Sequence, residues 1–399
     1  MEALRGGISA PIGFSASGVS CGIKRRGKDL ALILSDRPAS VAGMLTTNRL
    51  TAPCVEWVRA VLKRGTARAI VANSGNANCC TGRRGVQDCR RMAEWTAQSL
   101  GIPPRQVLVA STGVIGQPLL MPKVRKGIAS AVKTLSRTGS HTAAEAIMTT
   151  DTRPKEIAIR FTVGRRTVTV GGIAKGSGMI APHMATMLAF LTTDAQIQSR
   201  DLKRALQLFV SDTFNAITVD GEMSTNDMVL FLANGASGAP KIRQGTGAYK
   251  DFLTAVQKVC QYLAREIVRD GEGVTRLFTV QVTGAATRQE AVRIARQTAN
   301  SPLVKTMVAG RDPNWGRVAA AVGASGIAIH PRQLTLRLGE VTVFRQGEPL
   351  RVPRAQLLRQ VDHPEVQIGI DLGRGSSQAQ LLSGDLTEDY IRINAKYTS

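Results

Sequence analysis

Residues 171–194 read GGIAKGSGMIAPHMATMLAFLTTD, and the fold turns on this stretch. Glycines 171, 172, 176 and 178 make the backbone permissive just after a run of alternating apolar residues. Lys175 lies inside the glycine-rich turn, and Pro182 stiffens the chain beyond it. Met184–Leu191 is then apolar except for one hydroxyl, Thr186, which follows the small residue Ala185. Most threonines in such runs bond to nearby backbone. The pattern also suits a threonine that attacks its own preceding carbonyl. An N→O acyl shift at Ala185–Thr186, followed by hydrolysis, would leave Thr186 as a new N-terminus. Its α-amino group, with an ordinary pKa of about 7.7–8.0, could then serve as base for its own hydroxyl. A threonine paired with an N-terminal amine is an activated nucleophile that needs no histidine.

The segments on either side set this stretch in a mixed architecture. Ile157, Ile159, Phe161 and Val163 alternate, Gly164-Arg165-Arg166 turns, and Val168 and Val170 return, which predicts a hairpin over 156–172. Short apolar runs at 31–34, 68–72 and 107–110 read as buried strands, the last running into Ser111-Thr112-Gly113. The period of Val86, Cys89, Met92, Ala93, Ala97 and Leu100 predicts a helix that Gly101 and Pro103 end. Further helices are predicted over 124–135, over 201–210 with Ser199 as its cap, and over 249–268 ending at Gly271. Thr275–Thr283 reads as a strand. Thr287 and Glu290 form a capping box, a second hairpin turns at Gly339, and Val366–Leu372 is a strand. Hairpins mixed with intercalated helices predict α+β, or a layered α/β fold, and not a regular wound parallel sheet.

Composition narrows the chemistry. The 399 residues carry 52 Lys+Arg against 29 Asp+Glu, a net +23, yet no basic run reaches five and only 4% of the chain is aromatic. That argues against a nucleic-acid platform built on stacking and for a solvated basic surface that also attracts small anions. No run approaches the length of a membrane span, and Met1–Gly22 lacks the pattern of a signal or transit peptide. The four histidines stand apart, and no two of the six cysteines have CxxC spacing, so no metal site is expected and free thiols in a cytoplasmic protein fit best. No P-loop, HExxH or complete GxGxxG occurs. With so few histidines, the chemistry should rest on a hydroxyl, an amine or a carboxylate.

Five segments, in order and spacing, resemble the ornithine acetyltransferase family, the glutamate N-acetyltransferases of arginine biosynthesis. They are Asn73-Ser-Gly-Asn-Ala-Asn78 with Cys80-Thr-Gly82, Ser111-Thr-Gly-Val-Ile-Gly116, Met148-Thr-Thr-Asp-Thr152, Lys175–Leu188, and Gly310-Arg-Asp-Pro-Asn-Trp-Gly-Arg317. The ending Arg392–Ser399 is similar too. The resemblance covers nearly the whole chain. It implies an N-terminal-nucleophile-type fold that cuts itself at Ala185–Thr186 into an α chain of 1–185 and a β chain of 186–399, paired as a heterotetramer of two of each. It implies a ping-pong transfer in which Thr186 takes the acetyl group from N-acetylornithine and passes it to glutamate, with no cofactor. Acetyl-CoA as a further donor stays open.

The same resemblance assigns Thr112 and Gly113 to the oxyanion site and Lys175 to a substrate carboxylate. Glu272 would hold the substrate amino group, Asn394 and Ser399 would be C-terminal binding positions, and one of Thr150 and Thr152 would contact substrate. The chain departs from the family at Glu222 and Met223, in Asp220-Gly-Glu-Met-Ser-Thr-Asn-Asp227. A hydrolase of a related self-cleaving fold, such as an aminopeptidase, is the alternative, because water can also resolve an acyl-enzyme.

Overall fold

Two mixed β-sheets, each faced by helices, organise the chain, and the computed structural model describes residues 1–181 and 187–396. The strands are β1 (Glu2–Leu4), β2 (Phe14–Val19), β3 (Leu30–Leu45), β4 (Thr66–Asn76), β5 (Val107–Val114), β6 (Lys155–Val163), β7 (Arg166–Lys175), β8 (Leu188–Thr193), β9 (Ile217–Thr218) and β10 (Met228–Ala233). They continue with β11 (Leu277–Ala285), β12 (Thr335–Leu338), β13 (Val341–Arg345), β14 (Glu348–Pro349), β15 (Glu365–Asp371) and β16 (Ser377–Gly384). The first sheet runs β1-β6-β7-β8-β10-β3-β4-β5, with β2 added on β3, and the second runs β14-β13-β12-β15-β11-β16-β9. Pairs β8–β10, β4–β5, β11–β15 and β16–β9 are parallel, and the others are antiparallel. The mixture of hairpins and crossovers is the layered α+β arrangement expected from the sequence.

The central strands are apolar on both faces because both faces are covered. Leu188, Phe190, Met228, Leu230 and Leu232 join the core under the helices Pro53–Arg64, Gly82–Leu100, Met121–Lys133 and Ser140–Ile147. Their neighbours Ala189, Leu191, Val229 and Phe231 join a second core with the helices Ser199–Val210 and Gly247–Arg269. A third core fills the second sheet and the helices Arg288–Asn300, Pro302–Ala309 and Trp315–Gly323. The helix Gly247–Arg269 is capped by Thr246, whose side chain accepts the Tyr249 N–H. Thr287 likewise accepts from Glu290 N–H, as its capping pattern predicts.

Two expectations are corrected. Lys175 is the last residue of β7 and buried, not part of a turn, because the strand extends past the paired glycines Gly171 and Gly172. Ser199 does not cap its helix: Gln198 holds that position, and the Ser199 hydroxyl donates to the carbonyls of Val41 and Gly65 at 2.5 and 3.0 Å. The C-terminal segment forms a helix over Glu388–Lys396.

Candidate active site

Strands β4 and β5 run parallel to a shared end, where Gly75 pairs with Gly113. Gly113 has a φ of +128°, and a Cβ there would lie 2.4 Å from the Gly75 carbonyl carbon, so no other residue fits. The asparagine-rich segment after β4 pins this end. Ser111 Oγ donates to Asn73 Oδ1 at 2.7 Å, and Asn73 Nδ2 donates to the Asn76 carbonyl at 2.8 Å. From across the sheet, Asn226 Nδ2 donates to the carbonyls of Ala77 (2.7 Å) and Ser111 (2.9 Å). Asn226 is buried and makes its contacts one residue from Thr112. Sequence reasoning placed it only in a loop that departs from the family pattern.

Thr112, Gly113, Thr150, Glu272 and Asn394 line one cavity of about 310 Å³, together with Ser224, Thr225 and Asn226. Thr112 and Gly113 come from the end of β5, Asn394 from the C-terminal helix, and the others from the loops between elements. Thr152 does not line it: its hydroxyl and N–H both donate to the Asp270 carboxylate. Thr150 is therefore the one of the two that faces the cavity. Glu272 Oε2 accepts from Asn394 Nδ2 at 2.8 Å, and a Cβ on Gly178 would lie 2.4 Å from that carboxylate. The neighbouring turn is fixed by Asp220, which accepts the N–H groups of Met179 (2.5 Å) and Ile180 (2.8 Å). A roomier cleft of about 490 Å³ between Arg265, Arg288 and Gln281 contains none of the residues singled out from the sequence.

Behind the cavity wall lies a buried charge network. Lys175 Nζ donates to the Thr149 hydroxyl at 2.7 Å and stands 4.0 Å from Asp151 Oδ2. Asp151 also accepts the N–H groups of Thr149 (3.0 Å) and Gly176 (2.7 Å). Lys155 Nζ bridges Asp151 Oδ1 at 2.7 Å and Asp270 Oδ2 at 2.6 Å. Burial pushes the Asp151 carboxyl up, but Lys155, Lys175 and the hydrogen bonds from Lys155 and Thr149 outweigh it and hold the group below the usual carboxylate range. Burial lowers the Lys175 ammonium, Lys155 adds to that, and Asp151, Asp227 and Glu272 pull it back only in part. Lys155 and Asp270 carried no signal of their own in the sequence beyond being charged residues beside apolar runs.

Thr186 and Ala185, and Ser399 at the C-terminus, lie outside the described residues. The residue after Thr186 is held: Met187 N–H donates to Asp227 Oδ1 at 2.9 Å, and its carbonyl accepts from Met228 N–H at 3.2 Å. Among the described residues no group of three or more His, Cys, Asp or Glu could hold a metal ion, and no helix is long and apolar enough to cross a membrane. The cavity thus has Thr112 and Gly113 on its lining, the Glu272 carboxylate on another part of it, and the Lys175 ammonium behind Thr149.

A model of the ArgJ family matches residues 15–399. The chain is 49% identical over 400 residues to the arginine biosynthesis bifunctional protein ArgJ of Symbiobacterium thermophilum, covering 100% of both chains. It is 47% identical over 410 residues to the arginine biosynthesis bifunctional protein ArgJ of a Synechococcus species, covering 100% of this chain and 99% of that one. Among solved structures it is similar to the arginine biosynthesis bifunctional protein ArgJ of Bacillus halodurans, with a TM-score of 0.50 and 40% identity, matching 52% of this chain to 98% of that one.

Proposed function

The chain belongs to the ArgJ family, and on that premise we propose that it is a self-processing acetyltransferase moving the acetyl group from N-acetylornithine to glutamate. The observation that carries this reading is the convergence of Thr112, Gly113, Thr150, Glu272 and Asn394, spread over nearly three hundred residues of sequence, on one cavity. In this reading the chain is cut between Ala185 and Thr186. The solved relative matched over 98% of its length by only 52% of this chain is about half as long, as a divided polypeptide would be.

The Thr186 α-amine takes the proton from Oγ, and Oγ attacks the acetyl carbonyl carbon. The oxyanion that forms is met by the Thr112 hydroxyl and the Gly113 N–H; each such donor is worth roughly 10²–10³ in rate. The C–N bond breaks, the departing ornithine amine takes the proton back from the Thr186 ammonium, and an acetyl ester remains. The glutamate amine then attacks that ester through the same steps reversed. Lys175, behind the wall, would act on the substrate carboxylate through the Thr149 hydroxyl to which it donates, while Glu272, oriented by Asn394, would hold the substrate ammonium. Every group these steps need comes from the chain itself.

The finer assignments have their own support. The relatives' name, bifunctional, accords with acetyl-CoA as a second acetyl donor. The six unpaired cysteines suit a cytoplasmic enzyme. A tetramer of two α and two β chains rests on the family resemblance. The reading is tested by N-terminal sequencing and intact mass. Wild-type protein should give a fragment beginning Thr-Met-Leu-Ala-Phe, and Thr186→Ala should stay one inactive chain. An active, uncut wild-type chain would overturn the proposal. Acetylornithine turnover that needs no glutamate would convert it to a hydrolase.

A further inference from the structure

Cys79 and Cys80 are adjacent thiols that no step of acetyl transfer uses. They follow β4, just beyond the asparagines that pin the Gly75–Gly113 end. In an extended chain neighbouring side chains point to opposite faces. Here Asn78 and Cys80 both have left-handed backbone, with φ of +47° and +57°, which residues other than glycine seldom adopt. The turn brings the two Sγ atoms to 3.7 Å. Cys79 is buried and Cys80 is exposed. The Cys79 Sγ also lies 3.9 Å from the Leu50 carbonyl. Burial raises the Cys79 thiol, the Thr225 side chain pulls it back only in part, and Cys80 beside it raises it further. One sulfur is therefore open to reagents, and the other is held behind it as a resolving partner.

We propose that Cys79 and Cys80 form a dithiol modification site that reacts with small anionic disulfides, such as oxidised glutathione, and closes to a disulfide between neighbouring residues. Arg83 and Arg84, exposed at the start of the helix Gly82–Leu100, favour an anionic reagent. The Cα atoms of neighbouring residues are about 3.8 Å apart, whereas ordinary disulfides span about 4.4–6.8 Å. A bond made at such close quarters is one that thiols readily reduce. The pair therefore suits a reversible mark in a reducing compartment, not a permanent staple.

The Cys80 sulfur, as thiolate, attacks one sulfur of the reagent. The reagent's S–S bond breaks, and its other half leaves with the electron pair and takes up the proton that Cys80 gave. Cys79 then loses its proton and attacks Cys80 Sγ. The bond to the remaining half breaks, and that half leaves as a second thiol carrying the Cys79 proton. The cysteine pair has lost two electrons and two protons, and the reagent has become two thiols. Closure draws the sulfurs from 3.7 Å to about 2.05 Å. That contraction falls on a segment tied to the cavity. The Cys79 carbonyl accepts the Gly116 N–H at 2.9 Å, and the Ala77 N–H donates to the Val114 carbonyl at 2.9 Å. Ala77, Val114 and Thr225 line the cavity beside Thr112 and Gly113. Closure should therefore disturb the oxyanion end. This consequence rests on the acetyl-transfer reading, whereas the bond itself does not.

The test treats the reduced, folded protein with oxidised glutathione, quenches with acid, alkylates free thiols and weighs the tryptic peptides. Ala69–Arg83 contains only these two cysteines. In wild type this peptide should lose two hydrogens and take no alkyl group, and dithiothreitol should reverse the change. In Cys79→Ser it should gain one glutathione and stop there, and in Cys80→Ser it should stay unmodified until alkylated. A wild-type peptide that stays a free dithiol, that halts with glutathione on Cys80, or whose Cys79 is bonded to another cysteine would overturn the site. So would a Cys80→Ser peptide that reacts as fast as wild type. The wild-type masses decide even where a variant does not fold. Oxidised wild type should also lose at least about tenfold in kcat for acetyl transfer, a share of the roughly 10²–10³ that an oxyanion donor supplies. Cys80→Ser should keep its rate under the same treatment. Undiminished transfer by the oxidised enzyme would overturn the link to the cavity. No acetyl transfer by the reduced enzyme would sink the functional reading, with the peptide masses still deciding the dithiol site.

Discussion

Replacing Lys155 by Met tests whether the buried charge network sets the geometry of the site. The Lys155 side chain is 1% exposed, and its two partners, Asp151 and Asp270, are 0% and 3% exposed. Methionine nearly matches the volume but leaves two carboxylates without their shared cation. Breaking a buried pair by removing one partner costs about 3–5 kcal/mol. At about 2.1 cal/mol/K of unfolding entropy per residue over 399 residues, each kcal/mol is worth about 1.2 °C, so thermal denaturation should show a fall in Tm of about 4–6 °C.

The pH dependence has a definite sign. Asp151 is held below its ordinary value in the folded protein, so its contribution is full above the unfolded pKa of about 3.9 and fades as pH falls through the lower folded value. Without Lys155, burial dominates and Asp151 takes up a proton at higher pH. The deficit of Lys155→Met should therefore be greatest near neutrality and shrink on acidification. A second variant, Lys155→Met with Asp270→Asn, should recover part of the loss. It removes one orphaned charge and leaves Asp151 with Lys175 at 4.0 Å and two backbone N–H donors. A Tm within about 2 °C of wild type, or a deficit that grows in acid, would refute the reasoning.

Two further outcomes are expected at the cavity. In fully cleaved enzyme, Thr112→Ala should lower kcat by about 10²–10³ with little change in KM; steady-state kinetics with an unchanged kcat would remove Thr112 from the oxyanion site. Lys175→Ala should cut kcat/KM severely at every salt concentration, because the amine is 1% exposed. Raising salt on the wild type should weaken it only modestly, since salt screens only the diffuse field of the basic surface, over a Debye length of about 8 Å. Processing is read by mass first, and wild-type kinetics in a processed Lys175→Ala enzyme would refute the assignment.

The periodic segments were the legible part of the fold. The hairpin at Gly164, the helix ended by Gly101 and the Thr287 cap all follow from local rules, and the structure has them. The 16-residue β3 was read as only four residues. Its middle holds Ser35, Asp36, Arg37 and Pro38, which look like a turn but lie in a strand whose register shifts between Leu34 and Ala39. At the site, Thr112, Gly113, Glu272 and Asn394 were singled out through the family motifs, and Thr150 only as one of two candidates with Thr152; these five line the cavity and Thr152 does not. Their scaffold was not singled out. Asn226, Lys155 and Asp270 act through partners up to 172 positions distant, and Asn226 illustrates the difficulty: it reaches Cys54, Ala77 and Ser111, which local pattern cannot pair with it. Lys175 misled because a lysine beside glycines reads as solvated, while its burial depends on Asp151 and Thr149 far behind it in the chain.

The order of the first sheet has a consequence for biosynthesis. β8 and β10, both C-terminal to the proposed cut, lie between β7 on one side and β3 on the other, and both of those strands precede it. The earlier stretch thus supplies two blocks of strands that never touch each other in the sheet and are joined only through two strands of the later one. A ribosome that delivered the stretches as separate products would release a first partner with two raw inner edges, each a template for aggregation. Covalent continuity until folding is complete makes the central pairing an intramolecular event at high effective concentration. Once the ladders have closed, the peptide bond is no longer needed to keep the halves together, so it can be given up to expose an amine.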